Sequence, residues 1–587
     1  MSTSQETKKR YWTRRRIILT LLALFCVYWF CFRGVALKIS PEITKITEPH
    51  TADGKHIDYF QAIVAISNPK IPPAKNGFRM VAKAIGRIPC ENINLEYWKK
   101  LSQKLDIDPL APPTTKYYAR NRILYEAANE ELGITTPLYD PQKVADRAAD
   151  MPEDHPRLLN DNPKAGDWVK QKNEQMMEKP WTAEEFPVFE QYIQGISPTL
   201  DIVGKAVRMD AYHIPILEPK TGIVPDILLP CTQVHLEFVR DLRRRIMFYL
   251  GKGETDKAVY DAITIYRLGQ FLQKDVLLVN SLGGIAIQYG IGFPAVVYIL
   301  QNENITREQI EQLLSELGKM PEKLPISDIM LCEEFMMYSI ISALSQKKYA
   351  FNIFSGDVQN EGGGLLVPNL AYLNYYGYDW NIVARNARNL FDMQTEIIDE
   401  PNPSVRAKMK EELHIEISRI SQRYEYSNLT SSNAWLTPGS YWRMIFVSTR
   451  SKMMGDSIGM QSTVFFQNNF REKINLGKAA VDLIRLACAL ELYKLDEGRY
   501  PDRLDKLQGK YLESIPSDPC TETDEPFRYR LEERSIDESG KPVYGYLMYG
   551  LGIKGEDTWG KTNLKIPGTE DLYVPKMDGE TNIPVRM

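Results

Sequence analysis

The sequence lacks the short motifs that identify most nucleotide-binding, zinc and metalloprotease sites. Its seven cysteines contain no C-x-x-C pair, which argues against a zinc site or a thioredoxin-like centre. Its six histidines are scattered, without the H-E-x-x-H spacing that puts two ligands on one helix face. No P-loop or Rossmann glycine pattern occurs. The sequence therefore identifies no reaction and favours a protein that is not an enzyme, although paired carboxylates would leave no spacing signal.

The chain also has no large excess of positive or negative charge. The net charge is −4 over 587 residues, and 25% charged with 43% hydrophobic residues is ordinary for a globular protein. No nucleic-acid partner is expected, because apart from the short basic N-terminal tail, which a membrane explains, nothing in the charge pattern suggests a nucleic-acid binder. The length predicts two to four domains. Five cysteines lie beyond the N-terminal apolar segment, so one disulfide is possible outside the cytoplasm. The pairing of Cys90 with Cys231 is only a guess.

The longest organising feature is an N-terminal apolar segment behind basic residues. Ile17–Phe32 carries no charge over 16 residues and follows the triplet Arg14–Arg16. As a helix it would cover about 24 Å of a hydrocarbon core roughly 30 Å thick. Arg33 can reach the interface, and Gly34–Leu37 can extend the span. We predict a transmembrane anchor at 17–37 and, because the basic tail 1–16 precedes it, a cytoplasmic N-terminus with the bulk outside.

A cleaved signal peptide is the alternative to an anchor. Its basic and apolar regions would look similar. However, this segment ends in bulky aromatic residues, and no A-x-A-like cleavage site directly follows them. Neither Cys26 nor Cys31 has the small neighbours of a lipoprotein site. The anchor is therefore the favoured interpretation.

The next part of the chain divides into a mixed juxtamembrane region at 38–179 and a helical body at 180–465. In the first region, 59–67 has the composition of a strand, and the proline-rich stretch 137–179 resembles an exposed connection. A helix is expected after the capping pattern at Thr182, and a second one after Pro198. In the body, 234–250 and 254–272 have helical periodicity around a short glycine turn, which predicts an αα-hairpin.

A second uncharged stretch, 276–302, is long enough to cross a membrane. It contains Asn280, Ser281, Gln288, four glycines and Pro294, and no basic cluster follows it. A helix buried in an all-α core is also apolar all round. Both a core helix and a second span stay open, and the core helix is favoured.

The C-terminal region 466–587 changes character after one long helix, which is predicted for 469–496. Pro-punctuated turns and Tyr-rich strands follow, which is typical of a small α+β unit. The spaced segments are Gly498-Arg-Tyr-Pro501, Tyr511-Leu512, Ile515-Pro-Ser-Asp518-Pro519 and Tyr546-Leu-Met-Tyr549-Gly-Leu-Gly552. Their order resembles the globular domain of type II secretion major pseudopilins over about a hundred residues.

That resemblance implies a bacterial protein of the cell envelope and suggests a calcium site. In the major pseudopilins the last hairpin loop binds calcium, and the matching stretch here supplies Glu556, Asp557 and Asp571. Lys554 stands where the family usually has an acid, so a solvated acidic loop is the alternative. The anchor lacks the Gly-Phe-Thr-Leu-Ile-Glu processing site of a pseudopilin. The run PWTAEEFP at 180–187, the stretch 201–215 and the helices at 232–300 are also similar to a group of large bacterial single-pass membrane proteins of uncharacterised activity.

Two features of the sequence have residue types found in catalytic or sugar-binding sites. Gly455-Asp-Ser457-Ile-Gly459 matches G-x-S-x-G, but the last histidine, His414, precedes it, which excludes the usual order of a hydrolase triad. The region 370–380 is dense in aromatic residues, which stack on sugar rings but more commonly serve packing.

The sequence therefore predicts a mainly α protein with an N-terminal transmembrane helix, a helical extracytoplasmic body and a small pseudopilin-like α+β module. The expected location is the bacterial inner membrane, with lipid contacting the anchor and a protein partner in the envelope. The first functional hypothesis is a scaffold or interaction protein. An extracytoplasmic hydrolase or sugar-active enzyme, and a component associated with a secretion system, are the alternatives.

Overall fold

The computed structural model is mainly helical. It describes residues 2–67, 71–87, 95–117, 120–135, 137–140, 162–219, 224–227, 230–319, 325–346, 377–423, 446–464, 470–521, 525–536, 542–551 and 583–586. The prediction of a mainly helical chain is confirmed.

The helices are numbered along the chain. They are α1 (Ser2–Cys31), α2 (Pro41–Thr44), α3 (Tyr59–Ser67), α4 (Gly77–Ile85), α5 (Leu95–Leu105), α6 (Arg120–Glu131), α7 (Pro163–Glu178), α8 (Pro187–Ala206), α9 (Pro230–Gly251), α10 (Thr255–Gln273), α11 (Leu278–Ala286), α12 (Phe293–Leu300), α13 (Arg307–Gly318), α14 (Ile326–Ser345), α15 (Trp380–Asp399), α16 (Pro403–Arg423), α17 (Val447–Val464) and α18 (Phe470–Glu497). The strands are β1 (Arg528–Ile536), β2 (Pro542–Gly550) and β3 (Ile583–Arg586).

The chain divides into two compact units, and each unit collects three separate stretches. The first unit contains 1–67, 218–227 and 326–470. The second contains 68–217, 228–325 and 471–587. The division of the chain into five consecutive segments, which the sequence analysis predicted, stays a prediction.

The second unit is built around the predicted helical hairpin. Helices α9 and α10 pack against each other and are joined at Gly253, whose φ of +72° suits the turn. The hairpin encloses paired charges: the guanidinium of buried Arg245 donates to both carboxylate oxygens of buried Asp261, at 2.8 and 2.7 Å. Because buried charges are tolerated only when they are paired, this fork fixes the two helices in one arrangement.

Three local predictions for the body and the juxtamembrane region were wrong. Residues 59–67 form helix α3 rather than a strand, because Asp58 caps the helix by accepting a bond from the Gln61 amide at 3.0 Å. The expected connection 137–179 contains helix α7, which begins at Pro163, directly after the capping residue Asn162. Residues 187–206 form the single helix α8, with Pro198 inside it, rather than two helices.

The second uncharged stretch lies in the core of the second unit. It forms α11, a π-helical turn at 287–292, and α12. The segment Leu278–Leu300 is long and apolar enough to cross a membrane by length and composition, but 72% of its most apolar window is buried inside the protein. Gln288 accepts from the side chain of Gln273 at 2.7 Å and donates to the carbonyl of Tyr266 at 3.0 Å. Its polar side chain is therefore satisfied by α10.

The C-terminal part begins with the predicted long helix. Helix α18 ends at Gly498, whose φ is +72°, and the strands form an antiparallel sheet in the order β1-β2-β3. The Tyr500 hydroxyl donates to buried Glu491 at 2.7 Å. Buried Asp518 accepts from the Leu551 amide at 2.7 Å and so fastens the proline-rich segment to the end of β2. Two residues of the motifs that suggested a pseudopilin therefore hold this region together.

Candidate functional site: helix α1 and its junction with the rest of the first unit

Helix α1 carries an exposed apolar surface along its C-terminal half. Its large apolar side chains have exposed fractions between 45% and 65%. They are Ile17, Ile18, Leu19, Leu21, Leu22, Leu24, Phe25, Val27, Tyr28, Trp29 and Phe30. Burying one such side chain is worth about 1.5–3 kcal/mol, and contiguous apolar patches of this size mark interaction sites. This surface therefore requires an apolar environment.

The two ends of the apolar surface are basic. Arg16 is exposed at one end. At the other end the guanidinium of Arg33 lies 3.6 Å from the centre of the Trp29 ring. A cation over an aromatic ring is attracted to it, and tryptophan is enriched at membrane interfaces. The apolar helix Arg16–Cys31 is shorter than a typical span, so its ends decide how it would fit a membrane.

The buried side chain of Arg450 caps the C-terminal end of α1. One guanidinium nitrogen donates to the carbonyl of Cys31 at 2.8 Å, and another donates to the carbonyl of Gly377 at 2.8 Å. The last carbonyls of a helix have no partner within it and form the negative end of its dipole. A buried cation at this place satisfies one of them and is attracted to all of them, so Arg450 holds the end of α1 against the rest of the first unit.

The chain that follows α1 is tied directly to the start of α15. The Val35 amide donates to the Tyr378 carbonyl at 2.8 Å, and the Trp380 amide donates to the Val35 carbonyl at 3.1 Å. The Asn381 side chain accepts from the Lys38 amide at 2.8 Å and donates to the Ala36 carbonyl at 3.0 Å. No free linker therefore separates α1 from the rest of the first unit. The helix ends at Cys31, before residues 34–37, which were predicted to extend the span.

Close backbone packing accompanies these bonds. Gly377 lies against Phe32 and Gly34 so closely that a β-carbon on Gly377 would overlap their backbone atoms. The aromatic ring of Tyr378 is buried beside Arg450, at 5.7 Å from its guanidinium, and burial raises the pKa of the Tyr378 hydroxyl. The junction is thus packed as a protein core is packed.

The segment 41–45 adds a polar contact to the same unit. The ammonium of Lys45 lies 2.9 Å from one carboxylate oxygen of buried Glu334, and the Arg388 guanidinium donates to the Pro41 carbonyl at 3.0 Å. Burial raises the pKa of the Glu334 carboxyl, although Lys45 opposes the shift. The Tyr59 hydroxyl donates to the Thr44 carbonyl at 2.9 Å. These contacts continue the attachment of the chain for more than ten residues beyond α1.

The G-x-S-x-G sequence has a packing role in the first unit. Ser451, Gly455 and Gly459 recur every four residues on one face of α17, and this face lies against α15. A β-carbon on Gly455 would overlap the Val383 carbonyl, and one on Gly459 would lie 2.9 Å from Leu390. Ser457 is buried within the helix rather than exposed on a strand-to-helix turn. The two glycines of the motif, with Ser451, therefore form a seam of small residues that lets two helices approach closely.

Several predicted site residues fall outside the described residues. The calcium candidates Glu556, Asp557 and Asp571 do so, and so do most aromatic residues of 370–380. The suggested disulfide between Cys90 and Cys231 lies outside the residues whose side chains are described. Within the described ranges, no group of three or more histidine, cysteine, aspartate or glutamate side chains is arranged to hold a metal ion.

Sequence reasoning missed the residue that organises the junction. The sequence has no acid at helical spacing from Arg450, and two acceptors of its guanidinium are backbone carbonyls more than 70 residues away. Main-chain acceptors leave no mark in a sequence, so only the fold reveals this contact. No protein-family model, characterised protein or solved structure matches the chain.

Proposed function

We propose that this protein is a single-pass membrane-anchored scaffold of the cell envelope. The observation that carries the proposal is the exposed apolar surface of α1 joined, without a linker, to a folded unit. A scaffold needs a fixed position relative to the membrane, and a direct junction provides one. The basic tail before α1 favours a cytoplasmic N-terminus and an extracytoplasmic body.

The junction also supports a retained anchor over a cleaved signal peptide. Cleavage after the apolar segment would remove Cys31, whose carbonyl accepts from buried Arg450. The guanidinium would then be buried with one acceptor fewer, at a cost of about 1–3 kcal/mol. Signal peptides have no reason to contribute a contact to the mature fold.

Membrane extraction and topology reporters test this proposal together. The full chain should stay with membranes in alkaline carbonate, and its mature N-terminus should still include α1. Reporters inserted after Lys257 and at the C-terminus should both report the extracytoplasmic side. Release by carbonate would refute the anchor, and opposite compartments for the two reporters would show that 278–300 crosses the membrane instead of lying in the core.

A variant of Arg450 tests the role of the junction. In Arg450→Met the chain near Arg33 and Lys38 should open, so trypsin should release the body from vesicles several times faster than from the parent. Arg385→Met is the matched control, because Arg385 is exposed and lies near the start of α15. Equal release from both variants would show that Arg450 does not hold the anchor.

A component associated with a secretion system is the second candidate. It rests on the pseudopilin-like motifs, and the contacts of Tyr500 and Asp518 support a structural reason for two of them. Calcium binding by Glu556, Asp557 and Asp571 belongs to this candidate. Calcium titration into the full chain, compared with Asp557→Asn, tests it: binding that the substitution abolishes supports the site, and no binding removes it. The hydrolase hypothesis has less support, because Ser457 is buried inside helix α17 rather than exposed on a strand-to-helix turn.

A further inference from the structure

The apolar surface of α1 does not end where the helix ends. Two further apolar side chains at the junction are exposed: Val35 by 39% and Phe446 by 51%. Val35 follows the last residue of α1 by four positions and is held against Tyr378 by its backbone. Phe446 precedes Arg450 by one helical turn, and Arg450 bonds the end of α1. Both side chains therefore lie close to the place where the anchor meets the first unit.

The proposed anchor is shorter than the hydrocarbon core of a bilayer, which suggests lipid as the partner of Val35 and Phe446. The apolar run Ile17–Phe32 covers about 24 Å, which is roughly 6 Å less than the hydrocarbon core of a bilayer. A short span is accommodated when neighbouring apolar surface enters the membrane or when the bilayer thins. Because no linker separates α1 from the rest of the first unit, the apolar surface nearest to this missing depth belongs to the junction itself.

We infer that the junction surface of the first unit, formed by Val35 and Phe446 beside Arg33, is seated in the lipid layer at the extracytoplasmic side of the bilayer. The partner of this surface is the lipid boundary between acyl chains and headgroups. Arg33 is placed to meet lipid phosphates while its stem and Trp29 stay in the apolar region. The inference rests on the proposed anchor and adds that the folded unit, and not only the helix, contacts lipid.

The first unit offers a matched control for Val35. Val405 has nearly the same exposed fraction, 41%, and lies at the start of α16. Its amide bonds to Asn402 beside the end of α15, which is about 30 Å of helix from the Val35–Asp379 contact. Two valines of equal exposure therefore lie at opposite ends of one helix, and only one of them is next to the anchor.

The experiment places a fluorescent probe at each valine in the full chain. Val35→Cys and Val405→Cys are made in a Cys26→Ser background, labelled with an environment-sensitive dye, and reconstituted in phosphatidylethanolamine–phosphatidylglycerol vesicles. The labelled background protein supplies the blank for the other cysteines. Lipids brominated on their acyl chains should quench the probe at position 35 at least threefold more than the probe at position 405. Phe446→Cys gives a second position, with quenching expected to match position 35.

The outcomes separate this inference from the proposed function. If the protein leaves the vesicles in carbonate, the anchor itself is wrong. If it stays and the probes at 35 and 405 are quenched equally, the anchor stands and the lipid contact of the first unit is wrong. If the probe at 35 is blue-shifted but not quenched by brominated lipid, protein covers the surface and the inference is overturned. Strong quenching at 35 and 446 alone supports it.

Discussion

Two apolar segments of this protein, Ile17–Phe32 and Leu278–Leu300, are alike in composition and opposite in surroundings. By length and composition, the later segment is the better candidate for a membrane span, because it has 23 residues and the first has 16. Burial reverses this order. The later segment has 72% of its apolar window inside the protein, whereas the large side chains of the first are about half exposed or more. What covers a segment, rather than how apolar it is, therefore decides its role.

Leu278–Leu300 is packed between helices α10 and α18. Gly284 lies against the backbone of Gly269 in α10, and a β-carbon on Gly477 of α18 would lie 3.0 Å from the Ile285 side chain. Gln288 takes its hydrogen bonds from α10. Helices on two sides of the segment thus supply both close packing and polar partners. In α1, whose side chains are described from Arg16 onward, the hydrogen bond to Arg450 is made at its last residue, Cys31.

A buried charge should distinguish the two segments by the largest margin. Val297→Asp puts a carboxylate where the side chain has 0% exposure and should unfold the second unit, at a cost of at least about 4 kcal/mol. Leu24→Asp, on the exposed surface of α1, should leave thermal unfolding in detergent unchanged. Instead it should weaken membrane insertion by about 3 kcal/mol.

Circular dichroism and carbonate extraction measure the two effects separately. The expected pattern is loss of the folded state without a preceding change in membrane association for Val297→Asp, and the converse for Leu24→Asp. If Val297→Asp unfolds no more easily than its parent, the segment is not in a packed core. If Leu24→Asp destabilises the folded units, α1 is covered by protein.

A methyl group at the helix crossing should have the next largest effect. Gly284→Ala drives a β-carbon into the Gly269 carbonyl and should cost about 2–3 kcal/mol in free energy of unfolding. Gly290→Ala lies in the same segment with nothing within 4 Å of the new atom and should be neutral or stabilise by up to about 1 kcal/mol. Urea denaturation of both variants gives the comparison. Equal free energies would mean that the α10–α11 crossing is not as close as described.

The sequence predicts the elements whose signals are local. The hairpin α9–α10 and the helix α18 follow from apolar periodicity ended by glycine, and their bounds differ from prediction by only a few residues at most ends. The errors arise where tertiary context outweighs composition. Residues 59–67, predicted as a strand, form α3 behind the capping residue Asp58, and Ser457 is buried inside α17, where its flanking glycines pack against α15.

The junction was beyond prediction for a related reason. The apolar run of α1 and its basic flank were visible, but the contact of Arg450 with two backbone carbonyls depends on residues that are distant along the chain. The sequence gives the types of these residues but does not show which of them contact each other. Exposure of Val35 and Phe446 likewise becomes meaningful only when the end of α1 is placed beside them.

A smaller effect is expected from the polar group inside the core segment. Gln288→Leu removes the acceptor of the Gln273 side chain and one donor to the Tyr266 carbonyl, so we expect a loss of about 1–2 kcal/mol. The double variant Gln273→Leu with Gln288→Leu should cost less than the sum of the single changes, because neither leaves the other unpaired. Additive losses in urea denaturation would show that the two side chains do not interact.

The smallest effect concerns the outer cover of the core segment. Helix α18, which lies over Ile285, is held to the start of α13 by Asp496, whose carboxylate pairs with Arg307. The same carboxylate lies 2.8 Å from the Lys510 ammonium and accepts from the Tyr511 hydroxyl at 2.6 Å. The bonds from Lys510 and Tyr511, with the charge of Arg307, lower the pKa of Asp496 to about 2.

The sign of the pH dependence follows from that lowered pKa. An acid with a pKa lower in the folded than in the unfolded protein stabilises the fold above its unfolded pKa, about 3.9, and loses this contribution as the pH falls through about 2. Asp496→Asn should therefore lower Tm by about 1–2 °C at neutral pH, and the difference from the parent should vanish between pH 4 and 2. Asp505→Asn, which changes an exposed acid paired with Arg503, is the control and should show no such convergence. A gap between Asp496→Asn and its parent that persists at pH 2 would mean that the carboxylate charge does not hold this cover in place.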